Sequence, residues 1–396
     1  MRRSLTLLTA LLFICLDIVA QPGKKGAINL SNLKFKVEEA PQWSALFVKN
    51  NGWFGGDGIY TMPLDGLANK HAKPSSNILF IFSDSMIGRI EGDSLRDGFK
   101  MIHNSVAILN GNKPDTGRMK FSWQVNSRGE AETVFEPKTA ETKPGDYYWL
   151  GSGFVDQELH NNIYIFGYRI HNVSNDAFGF REVGNTLIKI PSTLKPPYAG
   201  YEQMDTPFFL NGTDGSIGSF GAGVYVNTTA AGAPAADGYI YVYGVRGMQK
   251  QLIVARVKPA DFEHFDQWRF WDGTGWNKDM AKVANVTDSV SNELSLSPLP
   301  DGRYLLVFQV GGMSNTVGMR IGASPVGPFG PIIKIWDCSK DAQEKTYVMY
   351  NAKAHPSLSA PGELLISYNV NSVDFIKDLK KHPHLYRPRF IRLKFL

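Results

Sequence analysis

The chain is poor in cysteine. It has two, Cys15 and Cys338, and Cys15 lies in an apolar N-terminal run that reads as a removable leader. A mature chain with Cys338 alone can form no intrachain disulfide, so stability must come from core packing, which suits a large domain. Cys338 reads as a small buried hydrophobe rather than a nucleophile. Beyond the N-terminus no apolar stretch approaches the roughly 20 residues that a membrane helix needs. Charge of one sign is also scarce. Basic runs are only short pairs, such as Lys24-Lys25 and Lys380-Lys381, and leave no nucleic-acid footprint. Helical periodicity is nearly absent.

Several catalytic signatures are missing as well. The chain has no GxSxG elbow and no HExxH. It has no phosphate loop with its lysine and no zinc-type cluster of Cys and His. The Ser-x-Asp-x-Gly-x-x-Trp repeat of sialidase type is absent too.

What is present is a globular composition over 396 residues, 43% hydrophobic and 20% charged. Aromatics reach 12%, and such residues favour strands and also stack on sugars. The start, "MRRSLTLLTALLFICLDIVAQ", has a basic end at Arg2 and Arg3, an apolar stretch from Leu5 to Cys15 and small residues for cleavage near Ala20. Residues 1–20 therefore read as a secretory signal peptide. Its removal takes away two Arg and one Asp, so the formal charge of +5 becomes +4. The expected product is a soluble secreted or periplasmic protein. No linker splits the rest, and residues 21–396 read as one domain.

Short β-like runs recur in pairs: "GIYTMPL" with "NILFIFSDS", "GSGFVDQEL" with "NIYIFGYRI", "GAGVYVNT" with "GYIYVYGVR" and "QLIVARV", "ELSLSPL" with "RYLLVFQV" and "MRIGASP", and "HPSLSAP" with "ELLISYNVN". Most are joined by turns rich in Gly, Asp, Asn or Pro. Five pairs at loose spacing predict an all-β chain folded as a five-bladed β-propeller, with a many-stranded β-sandwich as the alternative. "MIHNSVAIL" and "KFSWQVN" would complete the first blade. The C-terminal "FIRLKFL" would close the ring against a strand near Ala45–Val48.

In an antiparallel pair the start of one strand lies beside the end of the next. Asp57, in "GGDG", should then share a rim with Asp84, in "FSDS", and with His103 and Asn104 at the head of the third strand. The same geometry places Trp149, Arg169, Arg246, Glu293, His355 and Asn371 on that rim. Each has a plain alternative. Asp57 and Asp84 suit turns, Arg169 and Arg246 suit ion pairs with the carboxylates, and the histidines suit satisfied structural positions. Glu293 is less easily explained, because its strand pair is otherwise apolar or small.

Paired carboxylates around a sugar-sized cleft suit glycoside hydrolysis. One protonates the leaving oxygen, the other activates water or attacks the anomeric carbon, and a third nearby raises the acid's pKa by like-charge repulsion. Asp57 is the expected base or nucleophile, Asp84 its orienting or tuning partner and Glu293 the acid. His103, Asn104, Trp149, Arg169, Arg246, His355 and Asn371 are the expected substrate-binding residues. The alternatives are a glycan-binding propeller without catalysis and a protein-binding scaffold.

Together, "WFGGDGIYTMPL…ILFIFSDS", "MIHNSVAIL", "ELSLSPLPDGRYLLVF" and "YNAKAHPSLSAPGELLISYNVN" resemble a family of exported bacterial propeller proteins. That family was long a domain of unknown function and includes endo-D-arabinanases. The chain is also similar in layout to the five-bladed propeller glycosidases that act on arabinans, xylans and fructans. The resemblance spans about Trp43 to Asn371 and implies cleavage of furanoside linkages in a polysaccharide, D-arabinan first. It matches Asp57 and Asp84 to family acidic residues, and Glu293 by analogy with the wider group. No cofactor is required by such chemistry. An axial channel could hold a calcium ion, though nothing in the spacing demands one.

Overall fold

Runs such as Asn162–Asn172 and Glu363–Ser372 are rich in Ile, Val, Tyr and Phe, residues that suit a pleated surface buried on both sides. They form long antiparallel strands, and the chain is all-β, as expected. The computed structural model describes residues 28–174, 176, 178–212 and 217–396. The expected leader and Cys15 lie outside the described residues.

Five antiparallel sheets follow one another along the chain. Sheet I orders Tyr60–Pro63, Asn77–Phe82, Ser105–Asn110 and Met119–Ser122. Sheet II orders Asp146–Asp156, Asn162–Asn172, Phe180–Ile190 and Glu202–Asp205. Sheet III contains Ile217–Asn227, Tyr239–Arg246 and Gln251–Val257, flanked by short outer pieces. Sheet IV orders Leu294–Pro298, Tyr304–Gln309, Thr316–Gly322 and Ile333–Asp337. Sheet V orders Tyr347–Ala354, Glu363–Ser372, Pro388–Phe395 and Phe35–Glu39. The leading strands Tyr60–Pro63, Asp146–Asp156, Ile217–Asn227, Leu294–Pro298 and Tyr347–Ala354 pack each on the next. Sheet V returns to sheet I through Thr61 Oγ1 and His355 Nδ1, 3.0 Å apart. The Lys353 ammonium adds a second link, 4.6 Å from the Tyr60 ring centre. Apolar side chains fill the spaces between sheets, for example Phe47, Trp53, Phe80, Phe82 and Phe390 beside sheet I.

Two expectations are corrected and one strand is added. The C-terminal strand pairs with Phe35–Glu39, from Phe35 opposite Phe395 to Glu39 opposite Ile391. Ala45–Val48 does not receive it, because Pro at the first turn starts a short helix, Pro41–Ala45, there. The leading strand of sheet V is Tyr347–Ala354, and "HPSLSAP" forms the turn after it, with a 3₁₀ helix at Pro356–Leu358. Finally, "NNGWFGG" is itself a strand, Asn51–Gly56, paired with Ser85–Glu91 in a small side sheet.

That side sheet decides where "GGDG" lies. Gly56 pairs with Ser85 in the side sheet, and Tyr60 pairs with Ile81 in sheet I. Asp57 and Asp84 are the residues at which two adjacent strands cross from one sheet to the other. The backbones stay joined there, with Asp57 N–H donating to Asp84 O at 3.3 Å and Ser83 N–H to Asp57 O at 2.8 Å. Gly58 has φ +63°, and a Cβ on it would meet Ser83 Oγ at 2.6 Å, so the crossing requires glycine.

Among the described residues no helix is long and apolar enough to cross a membrane.

Candidate active site

Two parts of the chain bring three carboxylates within electrostatic reach of one another. Asp57 comes from the crossing into sheet I. Asp84 comes from the neighbouring crossing. Glu293 directly precedes the leading strand of sheet IV. The Tyr350 hydroxyl donates to Asp57 Oδ2 at 2.5 Å, and Asn371 Nδ2 donates to the Tyr350 oxygen at 3.1 Å. Tyr386 adds a second phenol beside Asp57. Burial, with the like charges of Asp84 and Glu293, pushes Asp57 up to about 8, against the pull of the two phenols. Asp57 and Asp84 are both partly open to solvent.

The surroundings of Asp84 are aromatic. His103 Nδ1 lies 3.1 Å from Asp84 Oδ1, and the His103 ring stacks on Tyr147 with centres 3.8 Å apart. Tyr147 meets Trp149 edge-on, and Trp149 meets Phe180 edge-on at 4.5 Å. The result is a row of rings along the leading edge of sheet II.

Glu293 is held differently. Asn351 Nδ2 donates to its Oε1 at 2.6 Å, and the buried Lys353 ammonium forms an ion pair with its Oε2. Burial raises Glu293 and Lys353 lowers it, with a net upward result. For Lys353, burial lowers the pKa and outweighs the opposing pull of Glu293. Tyr350, Asn351 and Lys353 belong to a β-bulge, where pairing slips between Tyr350 and Lys353. A bulge re-aims the side chains it carries, and Asn351 takes a left-handed φ of 61° to do so. Below this layer, a cavity of about 70 Å³ is lined by Tyr60, Thr61, Ser152, Ser295, Lys353 and His355 among others.

The expected residues divide into two groups. Asp57, Asp84, Glu293, His103, Trp149 and Asn371 come together around the mouth. Four others do not serve as expected there. Asn104 is fully buried, giving Nδ2 to Phe135 O and Tyr148 O and accepting from Phe135 N–H. His355 follows its strand instead of opening it. It is buried between Thr61 Oγ1 and Ser367 Oγ, 2.7 Å away, and burial drops it to about 3. Arg169 is spent on Asp205, at 2.7 Å, and on Thr139. Arg246 holds Asn285 Oδ1 at 2.7 Å and Val283 O at 3.0 Å.

Sequence reasoning missed Tyr350, Asn351, Lys353, Tyr386 and Glu182. The first three were legible as part of "YNAKA", but a bulge carries no sequence mark of its own. Glu182 lies on Phe180–Ile190, opposite Ile170, which in turn is opposite Tyr147. Its Oε1 is buried without a hydrogen-bond partner among the described residues. Trp149 Nε1, on the same sheet, is likewise without one. Among the described residues no three of His, Cys, Asp and Glu are grouped as a metal site.

Residues 41–395 match the family model described as a domain of unknown function, DUF5005. No curated protein matches the chain. Among solved structures it is similar to a candidate hydrolase from Bacteroides ovatus, with a TM-score of 0.68 and 21% identity over 90% of both chains, which shows a shared fold. An α-L-arabinofuranosidase from Clostridium thermocellum gives a TM-score of 0.44 and 10% identity over 84% of this chain and 87% of that one. An exo-β-1,3-galactanase from Phanerochaete chrysosporium gives 0.46 and 10%, over 82% and 60%. Similarity at these last two levels does not by itself establish a shared fold.

Proposed function

The chain belongs to the DUF5005 family, and we propose that it is an exported glycoside hydrolase that cleaves furanoside linkages of a polysaccharide, acting within D-arabinan chains. The five sheets are read as the blades of a five-bladed propeller, with the catalytic mouth at the crossing strands.

The observation that carries this reading is the grip on Asp57. A carboxylate held by two phenols and crowded by two further carboxylates is pushed up to about 8, and a raised proton affinity is what acid–base work at a glycosidic bond uses. A turn residue needs none of this. Asp57 is the base or nucleophile. Asp84, steadied by His103, orients it and sets its proton affinity. Glu293, the acid expected from sequence, has both oxygens engaged by Asn351 and Lys353, so that role requires the ion pair to open. The His103–Tyr147–Trp149 row offers ring faces for sugars. The reaction needs no cofactor. The fold shared with the Bacteroides ovatus candidate hydrolase is in keeping with hydrolysis.

The test uses the mature protein, from about Gln21, and Asp57→Asn. Both are incubated with mycobacterial-wall D-arabinan, plant L-arabinan, xylan and fructan, and new reducing ends are measured. The expected result is release from D-arabinan by the wild type, with a loss of roughly 10²–10⁴-fold in the variant. Equal release by both would remove Asp57 from the chemistry. No release from any polymer would overturn hydrolysis in favour of a glycan-binding propeller.

A further inference from the structure

We propose that Glu182 is the group that protonates the leaving oxygen, opposite Asp57 across the mouth. This inference rests on the glycoside-hydrolase reading. It starts from an accounting of carboxyl oxygens. Both oxygens of Glu293 are occupied by Asn351 and Lys353. Asp57 and Asp84 adjoin through their crossing strands, with Asp57 gripped by Tyr350 and Asp84 by His103. Glu182 Oε1 is buried with no hydrogen-bond partner among the described residues. Two other carboxyl oxygens share that state: Glu293 Oε2, which is ion-paired with Lys353, and Asp156 Oδ2, which lies at the opposite end of its strand from Tyr147. An unpaired buried carboxyl oxygen is costly, so its retention points to a ligand that completes it.

The position fits. Glu182 shares a row with Ile170 and Tyr147 in sheet II, and its side chain reaches Ser219 on the leading strand of sheet III. It therefore sits where sheets II and III meet, while Asp57 sits where sheets V and I meet. Tyr168 lies between the sides, within the electrostatic reach of both Glu182 and Glu293. Trp149, in register with Tyr168, brings an unpartnered indole N–H to the same sheet. Burial pushes Glu182 up to about 8, with the Ser219 hydroxyl bond opposing; Asp57 is pushed to about the same value, so the active form is the one in which Glu182 holds a proton and Asp57 does not.

The step balances without a further reagent than water. The Glu182 proton passes to the glycosidic oxygen. The C1–O bond breaks and its electron pair stays on that oxygen, which leaves as an alcohol. Water adds to C1 and gives a proton to ionised Asp57. Proton return from Asp57 to Glu182 through solvent resets the site.

Glu182→Gln is nearly isosteric, and its melting temperature should match the wild type within a few degrees. On the polymer that the wild type cleaves, the variant should lose roughly 10²–10⁴-fold in kcat. On the 2,4-dinitrophenyl glycoside of the released oligosaccharide, whose leaving group needs no proton, the loss should be under about tenfold, and the alkaline limb of the pH profile should vanish. Equal losses on both substrates, or no loss, would overturn the assignment. So would the same discrimination shown by Glu293→Gln instead. Ser219→Ala gives a second reading should Glu182→Gln fold poorly. It removes the bond that holds Glu182 down, so the alkaline limb should move to higher pH, and an unmoved limb would contradict the role. A wild type that cleaves no polymer overturns the hydrolase reading itself, whereas an active wild type with an indifferent Glu182→Gln overturns only this inference.

Discussion

Single side chains set the protonation of this site, and three predictions belong at that scale. Tyr350 donates to Asp57 and so holds its pKa down. Tyr350→Phe should raise Asp57 above about 8. In the role proposed for it Asp57 acts when ionised, so the acid limb of the activity profile should move to higher pH, and a limb that stays or moves lower would exclude the role given to Tyr350. The same carboxyl links stability to pH. Between its ordinary 3.8 and about 8 the native state holds a proton that the unfolded chain has released. Native stability therefore falls as pH rises through that window, and Asp57→Asn should flatten the fall in urea titrations across the range. The third prediction concerns Lys353, which is 1% exposed and paired with Glu293. Lys353→Met strands a buried carboxylate, at a cost of about 3–5 kcal/mol, measurable by chemical denaturation. A loss below about 1 kcal/mol would show that Glu293 takes up a proton or another partner at little cost.

At the scale of elements, the bulges matter most. Pairing slips at Leu150/Gly153 in sheet II, Phe220/Gly223 in sheet III and Tyr350/Lys353 in sheet V, each time on a leading strand. A Cβ on Gly153 would lie 2.4 Å from Tyr164 O, a backbone atom that cannot step aside. Gly153→Ala should therefore cost about 1–3 kcal/mol, read as a lower urea midpoint, and an unchanged midpoint would mean that the strand pair yields. These elements also show what the sequence could tell. Alternation and Gly/Asp turns made most strands legible, including all four of sheet I. They also brought Asp57 and Asp84 to one edge by antiparallel logic alone. Bulges defeated the same logic. A slip of one or two residues re-aims a whole strand, so the roles of Tyr350, Asn351 and Lys353 were not read from "YNAKA", while His355 was placed at the wrong end because "HPSLSAP" reads as a strand. Arg169 and Arg246 were misplaced for another reason. Pattern reveals which face a residue occupies, but not that Asp205 or Asn285 is already waiting for it.

At the scale of the whole molecule, Phe35–Glu39 pairs with Pro388–Phe395 and completes sheet V. Two ion pairs, Glu38 with Lys394 and with Arg392, lie along that seam. Deleting residues 28–39 removes the outer strand of sheet V, including Phe35 and Val37 from its apolar core. Thermal unfolding should shift lower by several degrees, and an unchanged midpoint would show that the seam contributes nothing to the fold.

The seam also gives the chain a timetable. Phe35 must wait for Phe395, so the first of the described strands is among the last of them to find its partner. Sheets I to IV are built from neighbours in sequence and can form as the chain lengthens, at roughly 5–20 residues per second. The outer half of sheet V cannot form, and until the final residues arrive a strand edge stands open to other chains. Losing Pro388–Phe395 would thus strip Phe35–Glu39 of its partner as well, and the effect would reach far beyond the handful of residues removed.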